Sequence, residues 1–154
     1  VLHLDHCKSI DFIIKAIQAG FTSVMYDGSS LTVAENIQNN SEVVKITHAV
    51  GITVEAELGI VPAEDTGQVI VEDQLNRPEE AKEFIEKTGC DTLAIAVGTI
   101  HGNYVGEPKI YYYRLKEIAK AVSISLVLHR GSGNTEEDLN TRKNHQRVAH
   151  NYII

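Results

Sequence analysis

An α/β fold of the (β/α)8 barrel type, present in part, is what this sequence predicts, on three observations. Apolar runs alternate with segments of helical period along the 154 residues, the connections are mostly short, and every apolar run leads into an ionisable residue. Strand and helix in regular alternation make a parallel sheet with right-handed crossovers. In parallel α/β folds the C-terminal strand edge is where ligands sit. An open sheet would bring together only the strands beside its switch point, so five contributing strands fit a closed sheet better.

The elements follow in order. "VLHL" reads as a strand, and "SIDFIIKAIQAG" as a helix with Ile10, Ile13, Ile14 and Ile17 at helical spacing and Gly20 as its stop. "FTSVMYDG" is a second strand, followed by a helical stretch through "SEVVKITHAV" that Gly51 closes. "ITVEAELG" is the third strand, and a long acidic loop runs from Ile60 to Asn76. "RPEEAKEFIEKTG" has the proline, early acids and terminal glycine of a helix. "DTLAIAVGTIHG" and "ISLVLHRGSG" are the last clear strands, with the helix "YRLKEIAKAV" between them. A complete barrel takes about 250 residues and eight strands. The expectation is one partial barrel domain over residues 1–154, with about strands 3 to 7 present, the first two absent and a degenerate eighth. The chain starts without an initiator methionine, its single Met being Met25.

Composition narrows the function. A 43% apolar and 23% charged chain is ordinary for a globular protein, and no run is long and apolar enough to span a bilayer. The net charge of −7 argues against nucleic acid or an acidic membrane as partner. It leaves room for small phosphorylated ligands held by metal, backbone N–H groups and helix N-termini. Two cysteines, Cys7 and Cys90, do not make a disulfide framework and suit a reducing, cytoplasmic setting. Cys7 beside His6 reads as packing rather than as a thiolate ligand.

The strand ends deliver, in order, Asp5 and His6, Asp27, Glu57, His101 and His129. Three imidazoles from separate strands are the donor set of a catalytic zinc with one position open. Three strand-end histidines that merely hydrogen-bond are the other reading, and spacing does not separate the two. Asp5 suits either a partner orienting an imidazole or a proton-transfer group. Glu55 and Glu57 fall on one side of their strand by alternation, where one or both can serve a metal or simply be solvated. Asp27 in "DGSS" also reads as an ordinary turn and helix cap. "GTIHG" and "HRGSG" are small-residue loops of the kind that let backbone N–H groups approach a phosphate. His3, His48, His145 and His150 read as packing or surface residues.

The blocks "LHLDHC", "GFTSVMYDGSS", "VEAELG", "AED", "TGCDTLAIAVGTIHGNY" and "LVLHRGSG" stand in the order found in class II ketose-bisphosphate aldolases, and the chain resembles that family from Val1 to about Leu139. The resemblance implies a zinc-dependent lyase that reversibly cleaves fructose or tagatose bisphosphate to dihydroxyacetone phosphate and glyceraldehyde 3-phosphate. It implies Asp5 as the group exchanging the hydroxyl proton, and His6, His101 and His129 as the zinc ligands. Glu57 and Asp27 fall at an alternative zinc position, and Glu64 is the candidate mobile-loop acid. Gly102, Gly131 and Ser132 match positions that hold the triose phosphate, with Arg130 beside them. A monovalent cation (Na+ or K+) and a homo-oligomeric assembly are further family expectations.

Three departures stand out. Val61-Pro62-Ala63 precede the loop acid where the family has Gly-Gly, and Arg130 replaces the first glycine after the last zinc histidine, where its side chain can either contact the phosphate or obstruct it. Residues 140–154 form a divergent tail in which "VAHNYII" stands at the eighth strand and Asn151 at most as a remnant of a substrate-binding Asn. The chain by itself is therefore expected to be inactive. A non-catalytic chain of the same fold and a zinc hydrolase on a barrel are the competing readings.

Overall fold

The computed structural model describes residues 1–59, 72, 75–98 and 111–129, and residues 148–150 by their backbone. Glu64, His101, Gly102, Arg130, Gly131 and Ser132 lie outside the described residues, as do His145 and Asn151.

The chain runs β1 (His3–Cys7), α1 (Ile10–Gln18), β2 (Ser23–Tyr26), α2 (Val33–His48), β3 (Thr53–Leu58), α3 (Pro78–Thr88), β4 (Thr92–Ile95), α4 (Tyr112–Ala121), β5 (Ser125–Leu128) and β6 (Val148–His150). Helix ends follow the residue chemistry. Ser9 caps α1 by accepting from the Phe12 N–H, and Thr32 with Glu35 forms a reciprocal capping box on α2. Pro78 opens α3, and Gly89 ends it in the left-handed conformation that a side chain would strain. Asp27 and Ser29 make a turn, and the cap of the following helix is Thr32 instead.

All strands pair in parallel, and their order in the sheet is their order in the chain, β1 to β6. That monotonic order decides the fold type. An open doubly wound sheet reverses direction and carries helices on both faces. Right-handed crossovers that always step the same way put every helix on one face, and the sheet curls into a barrel wall. The sixth strand forms in the stretch expected to hold a degenerate eighth, with Leu126, Val127 and Leu128 aligned to Val148, Ala149 and His150.

The two sheet faces differ in chemistry. Val24, Tyr26, Val54, Ala56, Leu58, Leu93, Ile95, Leu126 and Leu128 face outward and pack against Ile13, Val43, Val44, Phe84, Leu115 and Ile118 of the helices in one apolar cluster. The opposite face carries a small cluster of Met25, Ala94 and Val127, with Glu55 and Glu57 between them on β3. Cys7 and Cys90 are buried free thiols in the outer cluster. Burial pushes the Cys90 thiol up to about 11. Among the described residues no helix is long and apolar enough to cross a membrane.

Candidate active site

A break in strand alternation at the end of β1 builds the centre of the site. Leu4 pairs with Val24 and Cys7 with Tyr26, so β1 spends one residue more than β2 over the same length. His6 takes up that extra residue at φ 48, left-handed backbone that costs a non-glycine residue roughly 1–3 kcal/mol. In a regular strand Asp5 and His6 would point to opposite faces. The bulge brings both to the inner face, where Asp5, His6 and His129 each offer a donor atom and these lie within 4.8 Å of one another. The His6 N–H, freed from the ladder, meets Met25 Sδ at 3.4 Å.

Carboxylates hold the two rings from behind. His6 Nδ1 donates to Asp27 Oδ2 at 3.2 Å and stands 3.5 Å from Glu57 Oε2. His129 Nε2 donates to Glu55 Oε1 at 2.8 Å, both side chains being buried. The ring centroids of His6 and His129 are 4.6 Å apart, although the residues come from β1 and from the end of β5. Asp27 also accepts from the Ser29 N–H and hydroxyl, with the Lys8 ammonium 3.7 Å away. Glu57 is fixed through its backbone, because Asn36 Nδ2 of α2 donates to its carbonyl at 2.8 Å.

The charges are uneven. The Asp27 hydrogen bond raises the His6 pKa; burial opposes it, and the charges of Asp5, Glu57 and Asp27 add to the rise. Burial works against ionisation of Asp27, but the bonds from His6 and Ser29, with Lys8 behind them, hold its carboxyl well below the usual range. Glu57 goes the other way, raised to about 7 by burial first and the Asp27 charge second.

Two further groups share the character of the first. His6, Asp27 and Glu57 form one, and His3, Asp5 and Glu55 the other, each with donor atoms within 4.8 Å of one another. Glu57 Oε2 and Asp5 Oδ1 are buried without a hydrogen-bond partner among the described residues, a costly state for a carboxylate oxygen. Imidazole nitrogens and carboxylate oxygens facing one another with such orphaned atoms are a donor set that fits a divalent cation.

Of the residues singled out from sequence, the structure brings together Asp5, His6, Asp27, Glu57 and His129. His48 pairs with Asp91 at 2.9 Å on the surface. His3 is more than a packing residue, since it stands beside Asp5 and Glu55 on the inner face. Its position two residues before Asp5 was the available signal. Lys8 and Asn36 carried none, because their contacts depend on how β1 and α2 sit against β2 and β3.

The comparisons extend this geometry. Residues 1–151 match the family model described as fructose-bisphosphate aldolase class-II. A fructose-bisphosphate aldolase of Staphylococcus epidermidis is 44% identical over 138 residues, covering 90% of this chain and 48% of the relative. A probable fructose-bisphosphate aldolase of Bacillus subtilis is 43% identical over 139 residues, with the same coverage of 90% and 48%. The chain thus spans about half the length of the curated relatives it matches. Among solved structures, the YdjI aldolase of Escherichia coli superimposes with a TM-score of 0.79 at 37% identity, over 96% of this chain and 52% of that one. A putative fructose-1,6-biphosphate aldolase of Coccidioides immitis gives 0.84 at 35% identity, over 97% and 54%. With a family match along nearly its whole length and a barrel wall that superimposes on these aldolases, the chain belongs to the class-II fructose-bisphosphate aldolase family.

Proposed function

We propose that the chain carries a large part of the active site of a zinc-dependent aldolase, which reversibly cleaves a ketose 1,6-bisphosphate, fructose or tagatose, to dihydroxyacetone phosphate and glyceraldehyde 3-phosphate. The observation that carries this reading is the inner-face group of Asp5, His6 and His129. The Staphylococcus epidermidis relative is a fructose-bisphosphate aldolase and the Bacillus subtilis one a probable fructose-bisphosphate aldolase, which favours the fructose substrate.

His6 and His129 would hold zinc, joined by His101 of the "GTIHG" stretch. Their outer bonds prepare them for it. Asp27 accepts from the Nδ1–H of His6 and Glu55 from the Nε2–H of His129, which leaves His6 Nε2 and His129 Nδ1 as lone-pair donors. Glu57 and Asp27 would supply a second position for the ion on the other side of His6. Zinc, when bound, supplies the Lewis acidity that draws electrons toward the ketose carbonyl, so no lysine adduct is needed.

The chain's own residues then move protons and hold phosphate. Asp5 takes the proton of the hydroxyl on the carbon that becomes the aldehyde as its carbon–carbon bond breaks, and returns it in the reverse direction. Glu64 is assigned the proton transfer at the carbon that keeps the electrons. Gly102, Arg130, Gly131 and Ser132 are assigned to phosphate, with backbone N–H groups and the guanidinium as donors. The site takes a small phosphorylated sugar, in a cytoplasmic homo-oligomer that a monovalent cation activates. The 154 residues alone are expected to bind metal without turning over substrate.

A zinc measurement beside a coupled cleavage assay with both epimers tests the reading. One zinc per chain, and chelator-sensitive cleavage of fructose bisphosphate when this segment stands within a complete barrel of the family, is the expected result. Cleavage that survives complete metal removal would overturn it.

A further inference from the structure

His3 lies next to this site and the reaction above gives it nothing to do. Its Nδ1 meets Ser23 Oγ at 2.8 Å, and Ser23 Oγ already accepts the Thr53 hydroxyl at 3.2 Å. The Asp5 and Glu55 carboxylates that face Nε2 favour the tautomer protonated there, with the Ser23 hydroxyl donating to Nδ1. That Nε2 is buried without a hydrogen-bond partner among the described residues. It stands 4.0 Å from Asp5 Oδ1 and 3.9 Å from Glu55 Oε2. One N–H thus faces two carboxylates in different settings: Glu55 holds His129 at 2.8 Å through its other oxygen, and Asp5 shares a donor group with His6 and His129.

We infer that His3 is a positioning residue, held by Ser23, which keeps Glu55 and Asp5 in place and through Glu55 fixes the tautomer and orientation of His129. Without it, two carboxylates would face each other across the same gap with no donor between them. Their repulsion turns Glu55 away from His129, and the ring loses the partner that frees Nδ1 for a metal. The inference rests on the metal-site reading proposed above.

The test measures zinc affinity of the chain by competition with a chelating dye, and the visible spectrum of the cobalt-loaded chain, for His3→Ala, His3→Gln, Ser23→Ala and His129→Ala. Loss of an outer partner of this kind weakens metal binding by about tenfold or more. His3→Ala is expected to show that loss and an altered cobalt spectrum with unchanged circular dichroism. His3→Gln, which restores an N–H, recovers most of the affinity, and Ser23→Ala gives a smaller loss in the same direction. A folded His3→Ala chain that binds zinc within about twofold of the parent overturns the inference, as does His3→Gln no better than His3→Ala. Should His3→Ala not fold, Ser23→Ala decides, and unchanged affinity there overturns it. The two readings fail separately: unchanged zinc affinity in His129→Ala removes His129 as a ligand and with it the reading this inference rests on, whereas affinity lost there but kept in His3→Ala removes only the role of His3.

Discussion

The two faces of β3 are made from alternate residues of one six-residue strand and obey opposite rules. Val54, Ala56 and Leu58 face the helices in the apolar cluster, and the strand needs nothing else to stay in the fold. Glu55 and Glu57 face inward at 5% and 1% exposure, where a carboxylate is among the least welcome side chains. Folding alone would fill that face with residues like Met25, Ala94 and Val127, which occupy it on β2, β4 and β5. The outer face shows what holds the protein together. The inner face shows what the protein tolerates for the sake of its chemistry.

Variants on the two faces should separate these purposes. The largest effect on stability is expected from Phe84→Ala on the outer side, whose ring is 1% exposed against the sheet. Truncating such a side chain costs about 3–5 kcal/mol, to be read as a lower denaturation midpoint. Zinc affinity of the fraction that remains folded should not change. Gly59→Ala lies between the faces, at the C-terminal end of β3. Its φ of 84 disfavours a side chain, and an added Cβ would stand 2.7 Å from Asn76 Oδ1 and 2.9 Å from Ala96 Cβ. Asn76 is not free to retreat, because its Oδ1 accepts the Ala96 N–H at 2.8 Å and its own N–H bonds the Ala96 carbonyl. Strained backbone of this kind costs roughly 1–3 kcal/mol, and thermal melting of the variant measures it.

The effect expected from the inner face depends on pH. The Glu57 carboxyl, ordinarily at 4.5, is raised to about 7 in the fold by burial and by the Asp27 charge. The folded chain keeps that proton where the unfolded chain has lost it. Glu57 therefore contributes stability that is complete below 4.5 and disappears as pH rises through 7. Urea unfolding of metal-free protein should show that decline in the parent and a shallower one in Glu57→Gln. Equal slopes would mean that Glu57 is not a buried acid. Added zinc should reverse the trend, since metal binds the ionised carboxylate and affinity rises with pH.

Much of this was legible in the sequence, for identifiable reasons. Strand order and helix ends rest on local chemistry: the isoleucine spacing of α1, and Pro78 and Gly89 around α3. The pairing of Glu55 with Glu57 on one face follows from period two alone. The Asp5-His6 pair did not yield to the same rule, since alternation would separate them and only the bulge against β2 brings them together. The bond between His129 and Glu55 spans 74 residues of chain and depends on the curl of the sheet, as does the approach of His3 to Glu55 across β2. No local pattern encodes either contact.

Zinc-edge anomalous scattering from crystals of the chain grown with zinc tests the central claim most directly. A single peak at coordination distance from ring nitrogens of both His6 and His129, with Asp27 and Glu55 behind them, is the predicted result. A peak that touches neither ring, or two rings turned apart with zinc bound elsewhere, would contradict the account.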